Sequence, residues 1–204
     1  DGYKANPEFA LETLKAAERG GAECLILCDT NGGTMPSEIA EIISKIKPEL
    51  KTPLGIHAHN DIELSVANTV TAIQSGAVHV QGTINGYGER CGNANLCSVI
   101  PNLQIKLGYE CVPEENLSKL MSISHQVSEI ANMAPIDNQA YVGLNAFAHK
   151  GGIHVSAILK NSDTYEHIKP AQVGNKQIVT VSDQAGMSNL IYKAEKYNIQ
   201  IDNK

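Results

Sequence analysis

Apolar residues in the first half of the chain follow two patterns. One is a spacing of three to four residues, which is typical of helices, and the other is a short continuous run, which is typical of buried strands. Three helices are predicted where the spacing is three to four residues, from Asn6-Pro7 to Gly20, from Pro36 to Ile46 and from Asp61 to Ser75. Short apolar runs predict strands at residues 24–28, at TPLGIHAHN (52–60) and at AVHVQGT (77–83). Because helices and strands alternate, the pattern indicates βα units around a parallel sheet.

The second half of the chain has a mainly helical pattern. The predicted elements are a helix at 93–107 with a kink at Pro101, an amphipathic helix at 113–133, a helix at 151–160, an extended IVTVS stretch and a helix at 187–197. The predicted organisation is therefore an α/β domain at 1–108, a linker helix at 109–135 and a small α+β subdomain at 136–204.

Polar residues follow each of the three predicted strands at the point where the strand ends. Asp29 and Thr30 follow the first strand, residues 57–61 end the second, and Thr83 and Asn85 follow the third. In parallel α/β folds, ligands bind at the carboxyl ends of the strands. The sequence therefore predicts a functional site that the three strand ends share.

Composition and charge argue against several classes of function. The formal net charge is −6, whereas nucleic-acid binding needs clustered Lys and Arg. No run of 18 apolar residues occurs, so no membrane span is predicted, and no signal peptide is recognised. The five cysteines contain no C-x-x-C pair, which favours reduced thiols and a cytoplasmic location.

The segment GIHAHNDIEL (55–64) contains two histidines, His57 and His59, on one predicted strand. Residues two apart on a strand point to the same face, roughly 6 to 7 Å apart, so both imidazoles could bind one ion. Two structural histidines are the alternative. Further ligands would have to come from elsewhere, because two imidazoles leave a divalent ion under-coordinated. For Asp61, a helix cap is the preferred interpretation.

The glycine-rich loop GTINGYGERCGNANL (82–96) lacks the third glycine of a dinucleotide-binding fingerprint. Glu89 and Arg90 could form an internal ion pair that fixes the loop. Asn93 could cap a helix, bind a metal ion, or do both through different atoms.

Two other residues have roles that the residues alone leave open. Thr30 could offer its hydroxyl to a bound anion, or it could close a turn. His154 follows two glycines just inside a predicted helix, where it could contact an anion or simply be exposed.

Four motifs in order along the chain resemble the 2-isopropylmalate, homocitrate and citramalate synthase family: CDTNGG, HAHND, GTINGYGERCGNANL and AFAHKGGIHVSAILKN. The stretches YEHIKPAQVGN and SDQAGMSN resemble the citramalate branch in particular, and the resemblance covers essentially the whole chain. It implies the C-terminal part of a TIM (β/α)8 barrel, three parallel strands with helices, followed by a mostly helical linker subdomain. It also implies a homodimer.

The same resemblance implies an acyltransferase that condenses acetyl-CoA with a 2-oxo acid, pyruvate in the citramalate branch, and hydrolyses the thioester. The implied cofactor is a divalent metal ion, Mn²⁺, Mg²⁺, Zn²⁺ or Co²⁺. The implied site residues are His57 and His59 as metal ligands, Asn93 as a further or more distant ligand, Thr30 at the oxo-acid carboxylate, and His154 and Tyr165 as catalytic residues that reach acetyl-CoA on the partner subunit's barrel.

The family's Arg-Asp-Gly motif, whose Arg stabilises the enolate or carbonyl oxygen and whose Asp binds the metal, does not occur in this chain, and its catalytic Glu has no match. The expectation is a central piece of a longer enzyme that is inactive alone and binds metal weakly. Asp163, beside Tyr165, is a weaker candidate. The alternatives are a 2-isopropylmalate or homocitrate synthase, a lyase like 3-hydroxy-3-methylglutaryl-CoA lyase, and a non-catalytic module that associates through exposed strand edges.

Overall fold

The structure is a computed structural model that describes residues 1–161, 164–180 and 186–199 of the 204-residue chain. The chain divides into two compact units, Asp1–Tyr109 and Glu110–Lys204. The division of the second unit into 109–135 and 136–204 stays a prediction.

The first unit has a parallel sheet in the order β1-β2-β3, flanked by helices. Its elements are α1 Gly2–Ala5, α2 Pro7–Arg19, β1 Leu25–Asp29, α3 Pro36–Ile46, β2 Leu54–Ala58, α4 Ser65–Gln74, β3 His79–Gln81 and α5 Leu96–Pro101, which a π-helical turn, Asn102–Lys106, extends. The predicted parallel sheet with alternating helices is therefore confirmed. In the register of this sheet, His57 lies opposite Cys28 on one side and Gln81 on the other.

The central strand β2 is buried almost throughout, as a parallel strand between two neighbours is expected to be. Gly55 is required there, because a Cβ atom at this position would lie 3.0 Å from both the Cβ and the carbonyl oxygen of His79. The surrounding core consists of Leu25, Ile39, Ile43, Ile46, Leu54, Ile56, Ala58, Ala72 and Ala77. This core fixes the three strand ends relative to one another.

Two predicted helix starts in the first unit are wrong. Helix α4 begins at Ser65 and not at Asp61, because the chain turns first, with Glu63 at a φ of 60° and its N–H donating to the Asn60 carbonyl. Helix α5 begins at Leu96, and Asn95 rather than Asn93 accepts a hydrogen bond from the Cys97 N–H. Both corrections leave more chain in the strand-end loops than the sequence indicates.

The second unit has short elements and a two-stranded parallel sheet. Its elements are α6 Glu114–Leu117, α7 Leu120–Ile130, β4 Ala148–His149, α8 Gly152–Lys160, β5 Ile178–Val179 and α9 Met187–Lys196. The single helix predicted from Pro113 to Met133 is wrong, because the chain turns between α6 and α7 at Ser118. Gly174, at a φ of 74°, lies against the Ser118 carbonyl at this turn, where a Cβ atom would not fit.

A buried asparagine connects two segments of the second unit. The Asn175 side chain donates to the carbonyls of Tyr141 (3.0 Å) and Gly143 (2.9 Å), and it accepts from the Lys176 N–H at 2.8 Å. Since all its polar atoms have partners, Asn175 is a structural residue. The nearby core includes Val142, Phe147, Val155, Ile158, Ile168, Val173 and Val179.

Candidate functional site

The carboxyl ends of β1, β2 and β3 are joined by backbone hydrogen bonds between the loops that follow them. The His59 N–H donates to the Asp29 carbonyl at 3.2 Å, and the Asn60 N–H donates to the Gly92 carbonyl at 2.9 Å. An antiparallel bridge pairs His59 with Asn93. The loops of all three strands therefore meet at one edge of the sheet, as the sequence predicts.

His57 and His59 lie on the same face of β2, with ring centroids 5.3 Å apart. The Nδ1 atom of His57 is 3.2 Å from Oε1 of Gln81, its neighbour across the sheet. In the tautomer that carries the ring proton on Nδ1, that atom donates to the amide oxygen, and the Nε2 lone pair is left for another partner. Metal-binding histidines commonly make such a hydrogen bond through their other ring nitrogen.

Two polar atoms at the His59–Asn93 bridge are buried and have no hydrogen-bond partner: Nδ1 of His59 and Oδ1 of Asn93. The Asn93 amide is oriented from its other end, since Nδ2 donates to the Tyr87 carbonyl at 3.3 Å. Gly88 allows this arrangement, because a Cβ atom there would overlap Nδ2. Buried polar atoms are normally paired, so these two atoms on bridged residues are available to a ligand.

The donor set fits part of a divalent metal site. Imidazole nitrogen and amide oxygen both bind divalent ions, and His57, His59 and Asn93 offer three such atoms at one strand end. In the described part of the chain, no group of three or more His, Cys, Asp or Glu residues could hold an ion. A carboxylate ligand in addition to His57, His59 and Asn93 would complete the coordination shell.

Thr30 directly follows β1 and is exposed, so its side chain is open to a ligand. The preceding Asp29 is buried and is fully engaged, since Thr34 donates to its carboxylate through Oγ1 at 2.6 Å and through its N–H at 3.3 Å. Asp29 therefore stabilises the loop that follows β1, and Thr30 is a residue of this loop whose side chain is exposed.

Asp61 does not cap a helix, and Arg90 does not pair with Glu89; the two residues pair with each other. Arg90 donates to Asp61 through Nε at 2.7 Å and through Nη2 at 3.0 Å, and Nη2 also donates to the Thr30 carbonyl. The guanidinium holds the pKa of the Asp61 carboxyl below its usual value. The sequence does not indicate this contact, and it does not indicate the contact of Gln81 with His57. Only the strand register carries a signal for Gln81.

The second unit brings His154 and Tyr165 together. Their rings are stacked with centroids 4.4 Å apart and an interplanar angle of 27°. His154 lies in the first turn of α8, and both side chains are exposed, with Tyr165 at 46%. The pair is thus open to a ligand on one surface of its unit. The weaker candidate Asp163 lies outside the described residues.

No helix in the described ranges is long and apolar enough to cross a membrane.

Parallel strands with helices between them and polar residues at the strand ends are typical of α/β proteins, among them the TIM barrels. The solved structure of a Bacillus subtilis HMG-CoA lyase matches 64% of this chain and 46% of its own, with a TM-score of 0.55 and 22% identity, which supports the fold. The first unit is therefore part of a TIM barrel, as predicted.

The chain belongs to the HMGL-like family, whose model matches residues 1–127. Residues 141–204 match the homocitrate synthase post-HMGL domain-like model. The chain is 57% identical to the (R)-citramalate synthase of Geobacter sulfurreducens and 59% identical to that of Aquifex aeolicus, in each case over 100% of this chain and 39% of the relative. The predicted resemblance is thus confirmed, and the chain spans about two fifths of the length of these relatives.

Proposed function

We propose that this chain carries the metal-binding and substrate-binding part of an acyltransferase that condenses acetyl-CoA with pyruvate to give citramalate. The observation that carries the proposal is the pair of buried, unpaired atoms, His59 Nδ1 and Asn93 Oδ1, beside the oriented ring of His57. The similarity to (R)-citramalate synthases supports pyruvate as the 2-oxo acid. The HMGL-like family is generally dependent on a divalent metal ion, which supports the donor set.

Each residue then has a defined task. His57, His59 and Asn93 hold a divalent ion, which when bound polarises the ketone carbonyl of the oxo acid as a Lewis acid. The hydroxyl of Thr30 donates to the carboxylate of the oxo acid and so orients the ketone. The pairing of Asp29 with Thr34 keeps the Thr30 backbone in place while the substrate binds.

The second unit acts on acetyl-CoA through His154 and Tyr165. An imidazole and a phenol in contact can bind the thioester and relay a proton during enolate formation. In a homodimer, we propose, this pair serves the strand-end site of the partner subunit. A cytoplasmic location is part of the same proposal, in keeping with the free cysteines among the described residues.

The proposal is tested in a full-length enzyme made by replacing the matching segment of the Geobacter sulfurreducens (R)-citramalate synthase with this chain. His57→Ala and His59→Ala should each reduce citramalate formation by at least a hundredfold, because each removes one metal ligand. They should also abolish the visible d–d absorption spectrum that bound Co²⁺ gives. Full condensation activity in either variant would contradict the metal site, and thioester-dependent cleavage without condensation would favour a lyase.

A mixing experiment tests the role of the dimer. Equal amounts of the His57→Ala and His154→Ala subunits, each inactive alone, are unfolded and refolded together. If sites are shared between subunits, half of the dimers are mixed and each has one intact site, so about a quarter of the unsubstituted activity should return. No recovery would contradict a shared site.

A further inference from the structure

One side-chain pair, Asp61 with Arg90, connects the three strand-end loops of the first unit. Arg90 lies in the loop after β3, Asp61 lies in the loop after β2, and the carbonyl that accepts from Arg90 Nη2 belongs to Thr30 after β1. We propose that Asp61 and Arg90 are positioning residues that hold these loops in register for substrate binding. This inference rests on the proposed function, since it concerns the same site.

The position of the pair along the chain supports this role. Asp61 is two residues after His59, Arg90 is three residues before Asn93, and Thr30 itself provides the accepted carbonyl. Any displacement of the guanidinium would therefore be transmitted to both sides of the His59–Asn93 bridge and to the residue proposed to hold the oxo-acid carboxylate.

A non-glycine residue with a positive φ and a glycine that leaves room for a side chain lie at the contact between Asp61 and Arg90. Arg90 has a φ of 55°, in the left-handed region that non-glycine residues rarely adopt. Gly32 has a φ of 65°, and a Cβ atom there would overlap the Asp61 carboxylate. The chain thus leaves space at Gly32 for the carboxylate and accepts strain at Arg90.

A contribution to stability alone does not account for this arrangement. The Arg90 and Asp61 side chains are 39% and 21% exposed, and exposed ion pairs contribute little to the free energy of unfolding. The guanidinium is instead used as a fork, with two hydrogen bonds to one carboxylate and a third to another loop. Such a fork fixes direction as well as distance, which is what the placement of a substrate contact requires.

The first test measures amide hydrogen exchange by NMR in the 204-residue chain. Arg90→Lys keeps the charge but loses the fork, and Asp61→Asn keeps the shape but loses the charge. In both variants the amides of His59 and Asn60, which donate to the Asp29 and Gly92 carbonyls, should exchange at least tenfold faster. The same is expected of Asn93, whose N–H donates to the Gly86 carbonyl within the loop that holds Arg90. The strand amides of Ile56 and Leu27 should change by less than twofold. Unchanged loop exchange, or equal acceleration of loops and strands, would overturn the positioning role.

The matched control is Lys45→Gln, which breaks the exposed Lys45–Glu41 ion pair on α3. This pair has an N–O distance of 2.6 Å and lies within one helix, so its loss should leave exchange in the strand-end loops within twofold of the unsubstituted chain. Acceleration of the loops by this control would show that any lost charge has the effect and would overturn the proposal.

The second test uses the full-length enzyme that carries this chain. Arg90→Lys and Asp61→Asn should each raise the KM for pyruvate at least tenfold and change the KM for acetyl-CoA less than twofold. The KM for pyruvate of the double variant should be no higher than that of the more severely affected single variant, because both substitutions disrupt the same Asp61–Arg90 contact. A fall in kcat with an unchanged KM for pyruvate would overturn the role at Thr30. If the unsubstituted enzyme forms no citramalate, the proposed function fails, while hydrogen exchange still decides whether the pair holds the loops.

Discussion

Asn93 in the first unit and Asn175 in the second are both turned toward backbone carbonyls, yet they use their amides differently. Asn175 has partners for both ends of its amide, whereas Asn93 makes one long hydrogen bond and leaves its buried Oδ1 unpaired. An unpaired buried acceptor costs free energy that a folded chain normally avoids. The difference separates a residue that connects loops from one that is kept available for a ligand.

Unpaired atoms elsewhere show why one such atom is not enough. Asn68 and Asn189 also have an unpaired buried Oδ1 and, like Asn93, each donates to a backbone carbonyl through Nδ2. His149 Nε2 and Glu166 Oε1 have no hydrogen-bond partner but lie 3.6 Å from each other, so each faces the other. At the strand ends, by contrast, two unpaired atoms that can bind a metal ion, His59 Nδ1 and Asn93 Oδ1, lie on residues that are bridged to each other.

The largest expected effect is on the free energy of unfolding, when each of the two asparagines is replaced in turn by alanine. Asn175→Ala should lower the free energy of unfolding by about 2 to 4 kcal/mol, because it removes the three hydrogen bonds of a buried amide side chain. Asn93→Ala should cost less than about 1 kcal/mol, because it also removes an unpaired acceptor. Urea unfolding of the two variants measures the difference. Equal losses would remove the distinction between the two asparagines.

The Gln81 contact is expected to affect metal binding more than stability. Gln81→Leu removes the side-chain partner of His57 Nδ1. Loss of such an outer contact reduces metal affinity by about 10- to 100-fold in other sites, and a reduction of that size is expected for Mn²⁺ here. Titration of Mn²⁺ against the full-length enzyme, followed by electron paramagnetic resonance, measures it. Gln177→Leu in the second unit is the control, and an equal loss there would contradict a specific role for Gln81.

How far the sequence predicts this site depends on whether the signal is local. The shared face of His57 and His59 follows from the two-residue period of a strand, and the common edge follows from the alternation of helices and strands. The assignment of Asp61 as a cap is wrong because its partner Arg90 lies 29 residues further on, where no periodicity indicates it. Gln81 escapes notice for the same reason, since only the pairing of β2 with β3 brings it to His57.

An added carboxylate at the strand ends should strengthen metal binding if His57, His59 and Asn93 form a site that lacks an acidic ligand. Asn93→Asp keeps the size of the side chain and replaces a neutral oxygen donor with an anionic one, which divalent ions prefer. The affinity of the 204-residue chain for Mn²⁺ should rise about tenfold, or about 1.4 kcal/mol. Isothermal titration calorimetry measures the change. The same substitution at Asn175 should leave Mn²⁺ affinity unchanged, and a decrease with Asn93→Asp would contradict the site.

The smallest expected effect is a shift in the titration of Asp61. Arg90 lowers the pKa of this carboxyl, so in the folded chain Asp61 should titrate below the ordinary value of about 3.9, and in Arg90→Gln it should return toward that value. Because the folded pKa is the lower one, the contact stabilises the fold fully above the unfolded pKa. That stabilisation is lost as the pH falls through the folded pKa. The side-chain carboxyl carbon shift of Asp61, followed by NMR from pH 6 downward, measures both values.

Glu41 provides the comparison for this titration, because Lys45 lowers its pKa through an exposed ion pair that has no part in the site. Its shift should disappear in Lys45→Gln and persist in Arg90→Gln, whereas that of Asp61 should show the opposite dependence. If Asp61 titrated at its ordinary value in the unsubstituted chain, the fork would not be formed in solution. The backbone hydrogen bonds from His59 to Asp29 and from Asn60 to Gly92 would then join the three loops without the Arg90 contacts.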